Sequence, residues 1–244
     1  MNPEGMILVN GDDDKLLTLK EKWQDKVITF GRNHSNDIYA QREVSRGLLG
    51  STVDIQGKVN IPEVQISLPG EHMILNALAA AAVADLLGLT QDEIKEGMKK
   101  VKAVSGRSNI ISLKDFILID DCYNANPVSM KAAIDLLQSA EGTKVAILGD
   151  MFELGEYAKA GHEEVGRYVA EESDASVLVC CGPMARWIYE AAASRKNLER
   201  YYFEDVEQME KNLFTILRKD DIILLKASNS MHFTAVCEHL AKHE

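Results

Sequence analysis

Along the chain the apolar positions change rhythm once. Up to about residue 70 they fall into short β-type runs, Met6–Val9, Lys26–Phe30, Ser51–Ile55 and Val64–Leu68, parted by turn-rich loops. Two helices follow. The first, about Glu71 to Leu87, contains "NALAAAAVADLL", a small and apolar composition suited to a helix buried against a sheet. The second opens on Thr90 with Glu93 three residues later, the T-x-x-E of a capping box, and runs to about Lys100. From residue 109 the pattern alternates. Near-continuous apolar runs at Phe116–Ile119, Val145–Leu148, Ser176–Cys180 and Asp221–Leu225, with a further strand at Tyr201–Phe203, are separated by helical stretches. That alternation predicts an α/β fold whose second part is a Rossmann-like parallel sheet covered by helices on both faces. The change of rhythm places a domain boundary near Ala103–Gly106, giving segments 1–104 and 105–244.

In sheets of this kind, ligands bind outside the carboxyl ends of the strands. The run Phe116–Ile119 ends in Asp120 and Asp121, then Cys122, Tyr123, Asn124, Ala125, Asn126 and Pro127 before the next helix. The other strand ends carry Gly149-Asp150, Cys181-Gly182 and Lys226-Ala227-Ser228. Asn126-Pro127 reads as an N-cap followed by Pro at the first helical position. The free N–H groups of that helix would face an anion arriving over the same edge. A capped helix with solvated loop acids is the alternative, and the stretch alone does not choose between them.

Composition narrows the classes. The 244 residues suffice for one large or two ordinary domains, and 46% hydrophobic with 27% charged residues is an ordinary globular balance. A net charge of −11 argues against a nucleic-acid surface, which needs clustered Lys and Arg. The longest apolar stretch, Met73 to Leu89, is interrupted by Asn76 and Asp85, so no membrane span is expected. The N-terminus shows no basic region of a signal peptide, and the expected location is cytoplasmic. Cys122, Cys180, Cys181 and Cys237 lack C-x-x-C spacing and read as reduced thiols, with a zinc site at Cys180-Cys181 disfavoured. Asp12–Asp14 is either a solvated turn, the favoured reading, or a metal cluster.

Three separated motifs carry a resemblance. "LPGEHMILNALAAAAVA" at Leu68–Ala84, Gly106-Arg107 with "IDDCYNANPVSM" at Ile119–Met130, and "ILGDMFELGE" at Ile147–Glu156 stand in the order and approximate spacing found in the Mur ligases. "LLKASNSMHF" resembles that family's last strand and following loop. "YNANP" and "LGDMFELG" point to the branch that joins D-Ala-D-Ala to UDP-MurNAc-tripeptide. The resemblance implies that residues 1–104 form the second half of the central ATP-binding domain and 105–244 the complete C-terminal ligase domain. No Gly-Lys-Ser or Gly-Lys-Thr of a phosphate loop occurs in the sequence. The phosphate loop, the Mg2+ ligands, the modified lysine and the UDP-sugar domain are therefore expected upstream. On this reading the chain is a fragment or a shortened product, inactive alone, of an enzyme that forms an amide through an acyl phosphate using ATP and Mg2+.

The resemblance also implies roles for single residues. Asn76 would offer a donor and an acceptor to the adenine edge, although Met73 stands where the family commonly has a second Asn. Arg107 would contact the nucleotide phosphates, Asp121 the ribose hydroxyls, Tyr123 the adenine or ribose, and Asn124 and Asn126 the phosphate or reacting carboxyl, while Asp120 reads as structural. For the acceptor dipeptide, Asp150 and Glu153 would attract the ammonium group and Ser228 and Ser230 would hold the carboxylate, with Asn229 where the family often has Arg. Lys226 is read as a strand-end charge pairing with a loop acid, and His162 as either the family's loop histidine or a helix cap. Sheet edges left exposed in the first segment would favour a dimer. Two other readings stand beside this one: a sibling ligase adding one amino acid to a muramoyl peptide or a folate, and a non-catalytic nucleotide- or peptide-binding module.

Overall fold

The structure, a computed structural model, describes residues 5–23 and 26–242. It divides into two units, Met1–Lys102 and Ala103–Glu244.

In the first unit the strands β1 (Ile7–Asn10), β2 (Val27–Gly31), β3 (Ile38–Ser45), β4 (Ser51–Gly57) and β5 (Ile61–Ile66) form a sheet in sequence order. The β1/β2 and β2/β3 pairs are parallel, and β3/β4 and β4/β5 antiparallel. Helix α1 (Asp14–Lys22) precedes β2, and α2 (His72–Leu86) and α3 (Gln91–Lys99) follow β5. Helix α2 buries Ile74, Ala77, Leu78, Ala81 and Ala82, the i, i+3, i+4, i+7, i+8 stripe of one helical face, among the sheet's Ile28, Ile55 and Val64. The Thr90–Glu93 capping box closes the start of α3.

In this unit two elements and one charge cluster depart from the sequence reading. Helix α1 was not anticipated because it has no buried residue and hence no apolar stripe. Its cap is Asp13, whose carboxylate accepts the N–H groups of Lys15 and Leu16 at 2.9 and 3.1 Å. Asp12 accepts the Arg32 N–H at 2.6 Å and the Asn36 amide at 2.9 Å. The acids of 12–14 thus cap a helix and brace a loop. Strand β3 was missed because only Ile38 and Ala40 of its eight residues are buried.

The second unit contains β6 (Asn109–Ser112), β7 (Phe116–Asp120), α4 (Pro127–Gln138), β8 (Lys144–Gly149), α5 (Ala158–Glu171), β9 (Val177–Cys181), α6 (Ala185–Ala191), β10 (Glu199–Phe203), α7 (Val206–Ile216), β11 (Asp221–Lys226) and α8 (Phe233–Lys242). The sheet order is β10-β9-β8-β11-β7-β6, parallel except for the antiparallel pair β6/β7. The chain steps from β7 past β11 to β8, β9 and β10, then returns to β11. Right-handed crossovers therefore send α4, α5 and α6 to one face and α7 to the other. Burial follows: Leu118, Val145, Ile147, Val179, Ile223 and Leu225, alternate positions of four strands, pack with Met209 and Leu213 of α7 and Phe233 and Val236 of α8. Because β11 lies between β7 and β8, the carboxyl ends of these three strands meet at one edge.

Candidate functional site

Lys226, the last residue of β11, reaches that edge and is only 2% exposed. Its ammonium donates to Asp121 Oδ2 at 2.6 Å, to the Asn124 carbonyl at 3.0 Å and to the Asp121 carbonyl at 3.5 Å. A buried ammonium is tolerated only with such partners. The other Asp121 oxygen accepts the Ser108 N–H at 2.9 Å. One ion pair therefore ties β11, the end of β7 and the 105–108 loop together.

Gly106 is where this loop comes closest to the strand end. Its N–H donates to Asp120 Oδ2 at 2.8 Å, and its carbonyl accepts the Tyr123 N–H at 2.9 Å. The residue has φ +76°, and a Cβ there would lie 3.1 Å from Tyr123 N and 3.2 Å from Tyr123 Cβ. Glycine satisfies both constraints at once. The next side chain, Arg107, places its guanidinium 4.1 Å from the Tyr123 ring centroid, and both residues are exposed. A cation–π contact of this kind contributes about 0.5–1 kcal/mol at an exposed site. It keeps the guanidinium over the ring at the strand end.

Asn126 caps α4: its Oδ1 accepts the Ser129 N–H at 2.8 Å, the Ser129 hydroxyl accepts the Asn126 N–H at 3.1 Å, and Pro127 is the first helical residue. Asn124 is exposed, with its Oδ1 on the Ala125 N–H at 2.8 Å. Arg107, Asp121, Tyr123, Asn124 and Asn126 thus gather at the end of β7. In the first unit, Asn76 lies on the exposed face of α2 with its amide nitrogen 3.5 Å from Met73 Sδ.

The residues expected at the acceptor seat divide. Ser228, 5% exposed, accepts the Phe152 N–H on its Oγ at 2.9 Å, and its own N–H donates to the Asp150 carbonyl at 3.0 Å. It joins the loops after β8 and β11. Asp150 is 1% exposed, and its Oδ1 accepts the Ala185 N–H at 2.6 Å at the start of α6. A Cβ on Gly182 would lie 2.5 Å from that oxygen, so the carboxylate sits beneath the loop surface and braces a helix. Burial pushes the Asp150 carboxyl above its ordinary range, against the pull of the Ala185 N–H and of His162. Glu153 is exposed and adopts φ +64°, a left-handed backbone rarely taken by a non-glycine residue. Ser230 is exposed in the 3-10 turn Asn229–Met231.

His162 is fully buried in α5. Its Nε2 accepts the Met151 N–H at 2.9 Å, which leaves Nδ1 to donate to the Ala158 carbonyl at 2.6 Å. Burial lowers its pKa, so the neutral ring serves as the strut under the β8 loop. Ser108, whose N–H orients Asp121, has no side-chain signal by which sequence reasoning could have found it.

Residues 106–229 match the Mur ligase, glutamate ligase domain, and residues 1–84 the Mur ligase middle domain. The chain belongs to the Mur ligase family. This Mur ligase chain is 37% identical over 194 residues to the UDP-N-acetylmuramoyl-tripeptide–D-alanyl-D-alanine ligase of Treponema pallidum, covering 79% of the chain and 41% of that protein. It is 29% identical over 244 residues to the ligase of the same name from Bacillus subtilis, covering 98% of the chain and 52% of the relative. Among solved structures it resembles MurF from Acinetobacter baumannii at a TM-score of 0.85 and 27% identity, covering 98% of this chain and 52% of that one. MurF from Thermotoga maritima in complex with ADP is similar at a TM-score of 0.75 and 26% identity, over 98% of this chain and 54% of that one. The Mur ligase chain therefore spans about half the length of these relatives, 41% and 52% for the two curated ones. Among its described residues no helix is long and apolar enough to cross a membrane.

Proposed function

We propose that this chain supplies the nucleotide-clamping and acceptor half of an ATP-dependent ligase that joins D-Ala-D-Ala to UDP-MurNAc-tripeptide. The observation that carries the reading is the Arg107 guanidinium held over the Tyr123 ring at 4.1 Å, beside an Asp121 fixed by Lys226 and Ser108. A planar fork at the strand ends of a parallel sheet suits nucleotide phosphates, and the carboxylate beside it keeps lone pairs for ribose hydroxyls. Tyr123 gives the adenine or ribose a face. Asn124 and the NH2 group of Asn126 donate to the phosphate or the reacting carboxyl, next to the N–H groups opening α4. In the first unit Asn76 offers one donor and one acceptor to an adenine edge.

Amide formation through an acyl phosphate develops charge first on phosphoryl oxygens and then on an oxyanion. Fixed cations and N–H donors stabilise both. Arg107 and the start of α4 are this chain's contribution to that stabilisation. Glu153 is the exposed acid available to the dipeptide's ammonium, and the exposed Ser230 hydroxyl is available to its carboxylate, while the buried Ser228 holds the loops of the seat together. Asp150 supports the seat from beneath by bracing α6.

Mg2+ does not fit the acids of this edge. The Lys226 ammonium on Asp121 already balances that carboxylate and repels a second cation, though not a hydroxyl, and Asp150 faces inward. We assign the magnesium ligands to residues outside this chain, with the phosphate loop.

The test measures phosphate release with Mg-ATP, UDP-MurNAc-tripeptide and D-Ala-D-Ala. It compares this chain with one extended by the phosphate loop and sugar-binding domain of the family. Turnover only in the extended protein, dependent on the dipeptide and lost with Arg107→Ala, is expected. Turnover by this chain alone, or in the extended protein without the dipeptide, would overturn the reading; the second outcome would favour a sibling ligase.

A further inference from the structure

Beneath the nucleotide edge, Asp120, Cys122 and Cys237 bring one carboxylate oxygen and two sulfurs within 4.8 Å of one another. Asp120 ends β7, Cys122 follows it by two residues, and Cys237 comes from α8. The three residues are 1%, 1% and 6% exposed. Asp120 Oδ2 is engaged by Gly106, but its Oδ1 is buried with no hydrogen-bond partner. Native interiors hold few such atoms, because an unpaired buried acceptor costs about 1–3 kcal/mol and a charged one more. The Cys122 thiol donates to the Leu225 carbonyl at 3.2 Å, an oxygen that also accepts the Asp121 N–H at 3.0 Å.

We infer that Asp120, Cys122 and Cys237 form a binding site for a thiophilic divalent cation of the zinc class. Two thiols and one carboxylate are a three-ligand set, completed in a tetrahedral site by a fourth donor such as a water. Sulfur selects zinc-like ions over magnesium and calcium, which take oxygen ligands. Binding replaces the two S–H bonds with metal–sulfur bonds, and both protons leave to solvent. The site would staple α8 to the end of β7. Because Asp120 also holds Gly106, the staple would stiffen the loop that presents Arg107. The inference does not depend on the ligase reading, since it concerns groups that the clamp does not use.

The test titrates Cd2+ into the full chain under a non-thiol reductant and follows the thiolate-to-cadmium charge-transfer absorption. One equivalent per chain is expected, with a rise in the thermal midpoint. Cys237→Ala should abolish the band, and Asp120→Asn should shift the titration from stoichiometric to weak. Cys180→Ala, which removes a buried thiol elsewhere in the sheet, should change neither. Circular dichroism establishes that each variant is folded, and Cys122→Ser provides a second ligand deletion of nearly the same size. Absence of the band in the parent chain, or a band that survives both cysteine substitutions, would overturn the inference.

Discussion

Replacing Lys226 by Met keeps the length of the side chain and removes its charge and all its donors. In the parent protein the ammonium is 2% exposed and the Asp121 side chain 16% exposed, with 2.6 Å between Nζ and Oδ2. In Lys226→Met, Asp121 would retain only the Ser108 N–H, and the Asn124 carbonyl would lose its donor. Breaking a buried pair by removing one partner costs about 3–5 kcal/mol. Water can reach part of the Asp121 carboxylate, which favours the lower end, about 3 kcal/mol. In a domain of this size each kcal/mol moves the midpoint by roughly 2–4 °C, so a fall of roughly 6–12 °C is expected. The two units can melt separately, so the measurement needs a local reporter. In a Trp23→Phe background, Trp187 fluorescence follows the second unit alone. Asp121→Asn should cost as much or more, because it leaves the more deeply buried charge unpaired. The double variant Lys226→Met/Asp121→Asn should lose far less than the sum of the singles. A fall of less than about 2 °C in Lys226→Met, or additive effects in the double variant, would refute the claim that this pair organises the edge.

Gly106→Ala should cost at least about 1–2 kcal/mol, since its φ of +76° is left-handed and the new Cβ would crowd Tyr123. ADP affinity should fall with it as Arg107 shifts, measurable by calorimetry beside urea denaturation. Asn126→Ser should leave stability within a few tenths of a kcal/mol, because Ser caps about as well as Asn. The same change removes an NH2 donor, so weakened ADP binding would separate the ligand role from the cap, and unchanged binding would confine Asn126 to capping. His162 makes stability depend on pH. Burial lowers its pKa from 6.5, so as pH falls below 6.5 the unfolded chain takes up the proton first and the fold loses stability down to the folded-state pKa. Above 6.5 the group contributes no slope. His162→Gln should flatten this acid-side loss in urea midpoints measured against pH, and an unchanged profile would show that the ring is not held neutral. Asp150, whose pKa is raised by burial, acts in the opposite sense in acid, and because His162 and Asp150 act on each other, the difference between the two profiles reports His162 together with its effect on Asp150.

Several features were legible in the residues alone. The stripe of α2, the Thr90 capping box, and the parallel strands β7, β8, β9 and β11 follow from short-range patterns, and the structure sets their ends within a residue or two of the sequence reading. The cluster from Asp120 to Pro127 was visible at a strand end because strand, loop and cap are contiguous in the chain. Helix α1 and strands β3 and β6, the last antiparallel on an otherwise parallel sheet, were not visible, since elements that bury little carry little apolar periodicity. Tertiary structure alone decided what the polar groups at the edge do. Lys226 and Asp121 are 105 residues apart and meet only because β11 inserts between β7 and β8. Asp150 and Glu153, three positions apart in one loop, read alike as acids, yet one is buried beneath α6 and the other is exposed. Cys122 and Cys237 had no motif spacing and share one buried cluster with Asp120. Local pattern records which residues can be buried. Strand order and helix packing decide which of them become neighbours, and charge and burial at a site are properties of those neighbours.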